Sequence, residues 1–462
     1  MNNPNEINSA MKPAQETVHS ESKAWIPVLF AMILIIAVVL ASLITFSFTV
    51  NTFLPEPEDD VTDFDILAGI MDQNANFTPE KEAMHEAALK AFVGASGDKY
   101  TAYYTDEEYA EIQAENEGRY VGIGVTVEET SVVYEGEEIT VLRIVRIAKD
   151  SPAMKSDMTV GDYIYSINVD GVTKYVNEIG REAAAKLIRG EVGSAVTLSY
   201  LVKTEEGYDK KIVGLIREAV ESVSVEYHLS ELDPTIGIVR IHTFDLTTPE
   251  QLCNAMDTLI AEGASSFVLD LRNNGGGLLK SVVACSSYFV KSGDLLLTKS
   301  GKTKTESIYA VYFSYAEGKS VLAEDIGKYR GYSFVTLVNE NTASAAELFV
   351  AVLRDYDLAG VVGMQTFGKG SMQDYIPLSS YGMSGVLKLT TNFYYPPCGE
   401  GYHGIGLTPD IVVPLEEGVD IEDVGDWDDN QLLCAVGMLL QPVDEQPSET
   451  ETEQEPEQNT NN

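Results

Sequence analysis

Hydrophobic positions follow four patterns along the 462-residue chain, and each predicts a different kind of structure. Residues 24–50 read AWIPVLFAMILIIAVVLASLITFSFTV with no charge. A run of that length predicts a helix able to cross a hydrocarbon core of about 30 Å. A cleaved signal peptide is the rival; its apolar region should be shorter, about 7–15 residues, and end in an A-x-A-like site, and neither condition is clearly met. From about Asp63 to Asn116 apolar residues recur at three- and four-residue spacing, as in EKEAMHEAALKAF, which predicts helix. Thr105 with Glu108 three residues on reads as a capping box. From Gly118 to about Val220 β-branched residues and glycine dominate. Residues 222–440 then alternate buried-strand runs (GIVRIHTF, SFVLDLR, FVTLVNE, AGVVGM) with helical patterns, the signature of an α/β core.

Charge sharpens this picture. The formal net charge is −41, from 31 basic and 72 acidic side chains, so the chain repels phosphate backbones and nucleic-acid binding is not expected. Lys12 and Lys23 precede the apolar run, whereas Glu56, Glu58, Asp59 and Asp60 follow it with no basic residue before Lys81. The positive-inside rule therefore keeps the amino-terminal tail in the cytoplasm and everything after Val50 outside. Residues 51–61, with two prolines, read as a stalk. Asp444–Asn462 carries seven acidic and no basic side chains, a composition that predicts disorder. Cys253, Cys285, Cys398 and Cys434 are widely spaced and form no C-x-x-C pair, which argues against a zinc ribbon or thioredoxin-like motif. Burial as free thiols is the expectation, with one disulfide left open.

Two sets of motifs carry chemistry. The run Tyr120–Val125 (YVGIGV), followed by VLRIVRIAKDSPAMKSDMTVGDYIYSINVDGV, resembles a PDZ domain. The resemblance implies that Gly122, Ile123, Gly124 and Val125 form a loop whose N–H groups hold a terminal carboxylate. The helix REAAAKLIRG would supply the side-chain pocket through Leu187 and Ile188, with Ala184 on the same face. Ser156-Asp157 stands where many relatives have Ala-Gly.

The second set is FVLDLRNNGGGLL (267–279), LVNENTASAAELFVAVLRD (337–355) and VVGMQTFGKGSMQD (361–374), closed by GIGLTPDIVVP. Together these closely resemble the carboxy-terminal processing, or tail-specific, peptidases, although TASAAE is less serine-rich than the string many relatives carry. The resemblance implies a PDZ module joined to an α/β core with a Ser–Lys dyad: Ser344 as nucleophile, Lys369 as base and Gln373 orienting it. It further implies an oxyanion hole built from the N–H groups of Gly276 and Ala345. Residue chemistry points the same way. Ser344 follows a predicted strand and opens an amphipathic helix, where unpaired N–H groups favour an oxyanion. Lys369 lies between Gly368 and Gly370 after an apolar strand, so burial can depress its pKa toward neutrality. By itself, a serine in that position is more often an N-cap. Asp270 and Arg272 read as structural, and Glu347 as a cap of its own helix.

Competing readings of these residues are weaker. GMQTFGKG is one residue short of a P-loop and ends in Gly370 where Ser or Thr is needed. A histidine base would have to be His242 or His403, and no G-x-S-x-G elbow exists. A non-catalytic PDZ scaffold and a hydrolase of another acyl substrate stay as alternatives.

The expected architecture is an α+β multidomain chain: a single transmembrane helix, a helical N-terminal segment, a PDZ domain, an α/β, crotonase-like peptidase core and a disordered acidic tail. Its expected boundaries are 1–23 (cytoplasmic tail), 24–50 (anchor), 51–117 (stalk and helices), 118–220 (PDZ), 221–440 (peptidase core) and 441–462 (tail). Expected partners are peptides or proteins with free C-termini and a membrane through residues 24–50, with a homo-oligomer left open. No metal or organic cofactor is implied.

Overall fold

The computed structural model describes residues 34–36, 38–42, 63–77, 80–316, 318–419, 421 and 424–441. Most of the 24–50 run, the stalk and nearly all of the acidic tail lie outside the described residues. Of the apolar run, 34–36 and 38–42 are described, as helix. Among the described residues no helix is long and apolar enough to cross a membrane. The expected fold class is corrected on this point: the described chain is a mixed α/β multidomain protein, with no membrane-crossing helix among its described residues.

The chain divides into two compact units, Met1–His85 and Glu86–Asn462. The first contains α1 (Asp63–Asn74) and the start of α2 (Lys81–Gly94). In the second, a short strand β1 (Ala102–Tyr104) interrupts the segment that reads as helical in sequence, and α3 (Asp106–Asn116) follows. Thr105 caps α3 with the reciprocal Glu108 bond that the capping box predicts.

A β-rich module comes next. Strand β2 (Arg119–Gly122) leads into β3 (Val125–Tyr134), β4 (Glu137–Ile147), β5 (Tyr163–Val169) and β6 (Val172–Tyr175). Helix α4 (Val176–Ile188) precedes β7 (Ala195–Thr204), β8 (Gly207–Ile216) and β9 (Glu218–Glu221). The sheet runs β3-β4-β5-β7-β8, with β6 on β5, while β2 pairs with β9 to close the module at its base. Apolar faces of β4, β5 and β7 bury Leu142, Ile144, Ile164, Ile167 and Leu198 against Ala184 and Ile188 of α4. Buried Arg217 receives the end of α4 by donating to the carbonyls of Leu187 and Ile188 at 2.7 and 3.0 Å, satisfying acceptors that a helix C-terminus leaves open. Strand β3 is the sheet's edge, with one side free to take another strand. This arrangement is PDZ-like.

The remaining residues build the layers of the α/β core. In chain order they are β10 (Val225–Leu229), β11 (Ile236–Ile241), α5 (Thr248–Glu262), β12 (Ser266–Asp270), α6 (Leu279–Ser287), β13 (Leu295–Gly301) and β14 (Thr305–Tyr309). The hairpin β15 (Phe313–Ala316) and β16 (Lys319–Val321) precedes β17 (Ser333–Val338), α7 (Ala345–Asp355) and β18 (Ala359–Gly363). Strands β19 (Ser371–Pro377), β20 (Val386–Tyr395) and β21 (Ile411–Val412) and helix α8 (Asn430–Leu439) complete it. The main sheet has the order β10-β11-β12-β17-β18-β21, all parallel except β10. Side chains alternate between its faces, as the strand period requires. Val239, Ile241, Phe267, Leu269, Phe334 and Val361 pack on α5, α6 and α7, while Ile238, Val268, Val335, Leu337 and Val362 pack on α8. Helices on both faces explain why these strands read as unbroken apolar runs. A second sheet, β1-β20-β13-β14 with β19 on β20, sets β1 against β20, across that strand from β19, the strand after Lys369.

The end of β12 is locked by buried charge. Arg272 Nη2 lies 2.7 Å from both Asp270 Oδ2 and Asp429 Oδ2, all three residues being buried. All four cysteines are free; Cys285 is buried and Cys398 exposed.

Burial alone would raise the Asp270 carboxyl, but Arg272 and Arg240 outweigh it and bring its pKa to about 2. A depressed carboxylate contributes stability that is full above its unfolded value near 3.9 and is lost as pH falls through about 2; the difference amounts to about 2 kcal/mol. Arg272→Met should cost roughly 3–5 kcal/mol in a urea melt at neutral pH, because it strands two carboxylates. A loss below about 1 kcal/mol would mean that the pair behaves as a surface contact.

Candidate active site

Ser344 lies directly before α7, after the Asn339–Ala343 loop that follows β17, and its backbone is strained. With φ 59° and ψ −119° it lies outside the extended region that an N-cap residue adopts. A non-glycine residue there costs about 1–3 kcal/mol and persists only when its surroundings enforce it. The strained residue closes the Asn339–Ala343 loop directly onto the helix, without a G-x-S-x-G sequence. Ser344 is partly exposed, whereas Ala345 and the rest of the first two turns are buried. Gly276, at φ 104°, makes the turn possible: a Cβ on it would stand 2.8 Å from Ser344 Cβ and 2.9 Å from Ala345 N. Glycine is required there by close approach as well as by conformation.

The loop after β12 is knitted to the loop before Ser344. Thr342 Oγ1 donates to Leu271 O at 2.8 Å, and Ala343 N to Asn274 O at 2.9 Å. Fully buried Asn274 donates to Ile241 O and accepts from Gly276 N–H, both at 2.8 Å. The Gly276 N–H assigned to the oxyanion hole is therefore engaged by Asn274. The Ala345 N–H donates to no protein acceptor among the described residues, as expected for the first turn of a helix.

Lys369 is brought to the same place by Glu347. This fully buried carboxylate accepts from Ser344 N and Lys369 N at 2.8 Å each, both on Oε2, and from Thr366 Oγ1 at 2.6 Å and Gly368 N at 2.7 Å on Oε1. The loop that falls short of a P-loop does converge N–H groups on an anion, and that anion is Glu347. The GIGLTPD segment clasps the loop from behind: Leu407 N donates to Thr366 Oγ1 at 2.7 Å, and Gly404 N to Gly368 O at 2.8 Å. Tyr394, buried on β20, donates to Lys369 O at 2.7 Å, and its hydroxyl lies 3.3 Å from Ser344 Oγ. The single phenolic proton serves the shorter bond, which leaves the oxygen to accept from the serine hydroxyl.

Lys369 Nζ forms no hydrogen bond or ion pair among the described residues and lies 4.8 Å from the centroid of the Tyr100 ring. Burial and then the neighbouring Lys388 hold its pKa below the usual lysine value, against the pull of Glu347 and Asp98. Gln373 occupies β19, but its amide donates to Ser371 Oγ at 3.2 Å and Thr390 Oγ1 at 3.1 Å, with no bond to Lys369. Neither candidate histidine bonds Ser344: His242 pairs with Glu226 at 2.6 Å, and His403 packs edge-on against Phe393. No metal-binding group of acidic, histidine or cysteine side chains occurs among the described residues.

In the PDZ-like module a cavity of about 310 Å³ opens between the β3 edge and α4. Ile123, Gly124, Val125 and Val127 line one wall, and Arg181, Ala185 and Ile188 the other. Gly122 begins the loop, and the N–H groups of Ile123 and Gly124 donate to no protein acceptor among the described residues. Leu187 packs into the module's core instead of lining the cavity. The helical face that meets the cavity is thus rotated from the one read in sequence, with Arg181 and Ala185 in place of Leu187. Glu347, Tyr394, Asn274 and the Asp98–Thr101 segment were not assigned to the site from sequence. Only Glu347 left a signal, the S-x-x-E spacing from Ser344.

These features set a partly exposed serine at a strained turn beside a lysine whose amine has no hydrogen-bond partner among the described residues. Residues 235–413 match the model of peptidase family S41. The carboxy-terminal-processing protease of Bartonella bacilliformis is 30% identical over 346 residues, covering 73% of this chain and 72% of that protein. A probable CtpA-like serine protease of Staphylococcus epidermidis is 26% identical over 412 residues, covering 88% and 77%. A solved structure from Bacteroides fragilis assigned to the S41 proteases covers 83% of this chain and 98% of its own at a TM-score of 0.52 and 16% identity, a likeness of fold. The chain belongs to peptidase family S41, as a serine-type peptidase of the carboxy-terminal processing group.

Glu347→Ala removes the acceptor of all four bonds from Ser344, Thr366, Gly368 and Lys369. Leaving buried donors unpaired costs about 1–3 kcal/mol each before relaxation. A fall in melting temperature of several degrees, together with loss of peptide hydrolysis, is expected. Retention of both would show that the carboxylate does not set the site.

Proposed function

We propose that the protein cleaves peptide bonds with a Ser344–Lys369 dyad and captures substrates by their free C-termini in the PDZ-like module. The observation that carries the first half is the shared Glu347 Oε2, which receives the Ser344 and Lys369 N–H groups at 2.8 Å each. It brings the two backbones within reach of one oxygen atom. In the proposed acylation, neutral Lys369 takes the Ser344 proton and Oγ attacks the peptide carbonyl. The Lys369 ammonium then gives that proton to the leaving amine, and water releases the acyl group. The developing oxyanion is received by Ala345 N–H, and by Gly276 N–H once that leaves Asn274. Gln373 steadies the strand that follows the lysine.

Capture is supported by the open β3 edge, the unengaged Ile123 and Gly124 N–H groups, and the Arg119 and Arg181 side chains on the cavity wall. Residues 118–220 are the proposed capture domain and 221–440 the proposed catalytic one. Phe64, Ile66, Leu67 and Ile70 of α1, each half or more exposed, support self-association.

Ser344→Ala and Lys369→Ala should each abolish hydrolysis of an unfolded protein substrate and leave the melting temperature near that of the parent. The parent's kcat/KM should rise with pH as Lys369 loses its proton, with an apparent pKa below the 10.4 of free lysine. Turnover by the Ser344→Ala protein, or a profile that follows a group near 6.5, removes the dyad from consideration.

Amidating the substrate's C-terminus should weaken capture by about tenfold to a hundredfold, the equivalent of a lost charge-assisted bond. The discriminating variant is Ala185→Tyr, which fills the cavity. Gly124 is unsuitable because a Cβ there would meet Ser151 Cβ at 2.1 Å. Ala185→Tyr should cleave free-acid and amidated tails at the same reduced rate. Equal cleavage of both by the parent would end the carboxylate-reading proposal and leave the dyad standing.

A further inference from the structure

The Asp98–Thr101 segment has no part in the fold of the main sheet, yet it is held firmly beside the lysine. Asp98 accepts from Thr101 Oγ1 at 2.6 Å and from Tyr100 N at 3.1 Å, and Thr390 N donates to Thr101 Oγ1 at 3.4 Å. Immediately afterwards β1 pairs with β20 in the register Ala102↔Lys388, Tyr103↔Leu387, Tyr104↔Val386. Tyr103 is buried and donates to Ser384 O at 3.2 Å. These bonds fix the Tyr100 ring below Lys369 Nζ, 4.8 Å from its centroid, and Lys99 Nζ lies at the same 4.8 Å.

We infer that Tyr100 is a positioning residue for Lys369: the ring face receives the protonated amine and holds it over the site when it is not bonded to serine. The inference rests on the Ser–Lys reading of the preceding subsection. An amine that must carry a proton after attack and deliver it to the leaving group needs a partner for its charged form. A carboxylate in contact would hold that proton too tightly, whereas a ring face attracts the cation weakly and releases it. The charged and titratable groups around Lys369 are Lys388 from β20, Asp98 and Lys99 from the segment itself, and Glu347 from α7. Tyr394 bonds its carbonyl, Tyr402 adjoins Tyr394, and the His403 backbone packs on Gly370. None of them forms a bond to Nζ among the described residues, so the aromatic face is its direct partner.

The sign follows from the chemistry. The ring favours the ammonium, so removing it lowers the folded pKa of Lys369 further and moves the acid limb of the kcat/KM profile to lower pH. The expected shift in Tyr100→Leu is roughly half a unit to a unit and a half. Its plateau should also fall about tenfold or more, because Nζ loses its fixed place. Tyr100→Phe keeps the ring and should keep both limb and plateau. If Leu at this position does not fold, pentafluorophenylalanine has nearly the same size with the ring's charge distribution reversed, and should give the same shift. A merely structural role would lower activity without moving the limb, so an unshifted limb in Tyr100→Leu overturns the inference. Lys369→Ala, run alongside, separates the two levels. Turnover in that variant removes the dyad reading and this inference with it. An inactive Lys369→Ala with an unshifted Tyr100→Leu limb removes this inference alone.

Discussion

Much of the site hangs on one buried carboxylate. Glu347 lies in the first turn of α7, where the helix N-terminus favours negative charge, and both of its oxygens are used for bonds beyond its own helix. It converts two separate stretches of chain, the turn at Ser344 and the loop at Thr366–Lys369, into one rigid body. A buried charge left without partners would be costly. The same cost makes the arrangement specific, because only the chain path that delivers all four donors satisfies the carboxylate. The GIGLTPD segment adds a second layer by fixing Thr366 and Gly368 from the far side.

Strain and close approach complete the serine's setting. The Ser344 backbone is held at positive φ by a long apolar helix behind it and by the β12 loop in front, with Gly276 Cα filling the gap. The stability that supports this strain comes from the core, where Phe244, Phe289 and Phe349 interlock through ring contacts beneath α7. A rigid helix thus presents an exposed hydroxyl and an unengaged N–H on the same turn. Electrostatics then shapes the setting of Lys369. A chain of net charge −41 tends to keep its lysines protonated, and the site opposes that tendency locally by burying Lys369 and setting Lys388 beside it. The balance is struck within a few ångströms, where burial outweighs the diffuse field of the surface.

How much of this was legible varied with the range of the interaction. The alternation of strand and helix over residues 222–440 announced the α/β core because its parallel strands are buried on both faces. The Thr105–Glu108 cap was readable because it closes within one turn. Strand β1 was not readable: its three residues take extended form only because β20 offers them partners some 280 residues later in the chain. The face of α4 was misjudged for a similar reason. Helical spacing tells which residues share a side, but the sheet decides which side meets the cavity.

Sequence by itself determined the residue types the chemistry needs, their order, and the glycines that permit close approach, since all of these are local properties of the chain. It also carried the apolar run at 24–50, for which the described residues give no membrane-crossing helix. Tertiary structure alone decided that Glu347 serves the loop of Lys369 as well as its own helix, that Asn274 engages Gly276 N–H, and that Tyr394 and Tyr100 stand beside the serine and the lysine. Each of these depends on groups far apart in the chain meeting at hydrogen-bond or van der Waals distance. No periodicity or spacing encodes that; only the packing of one layer on another does.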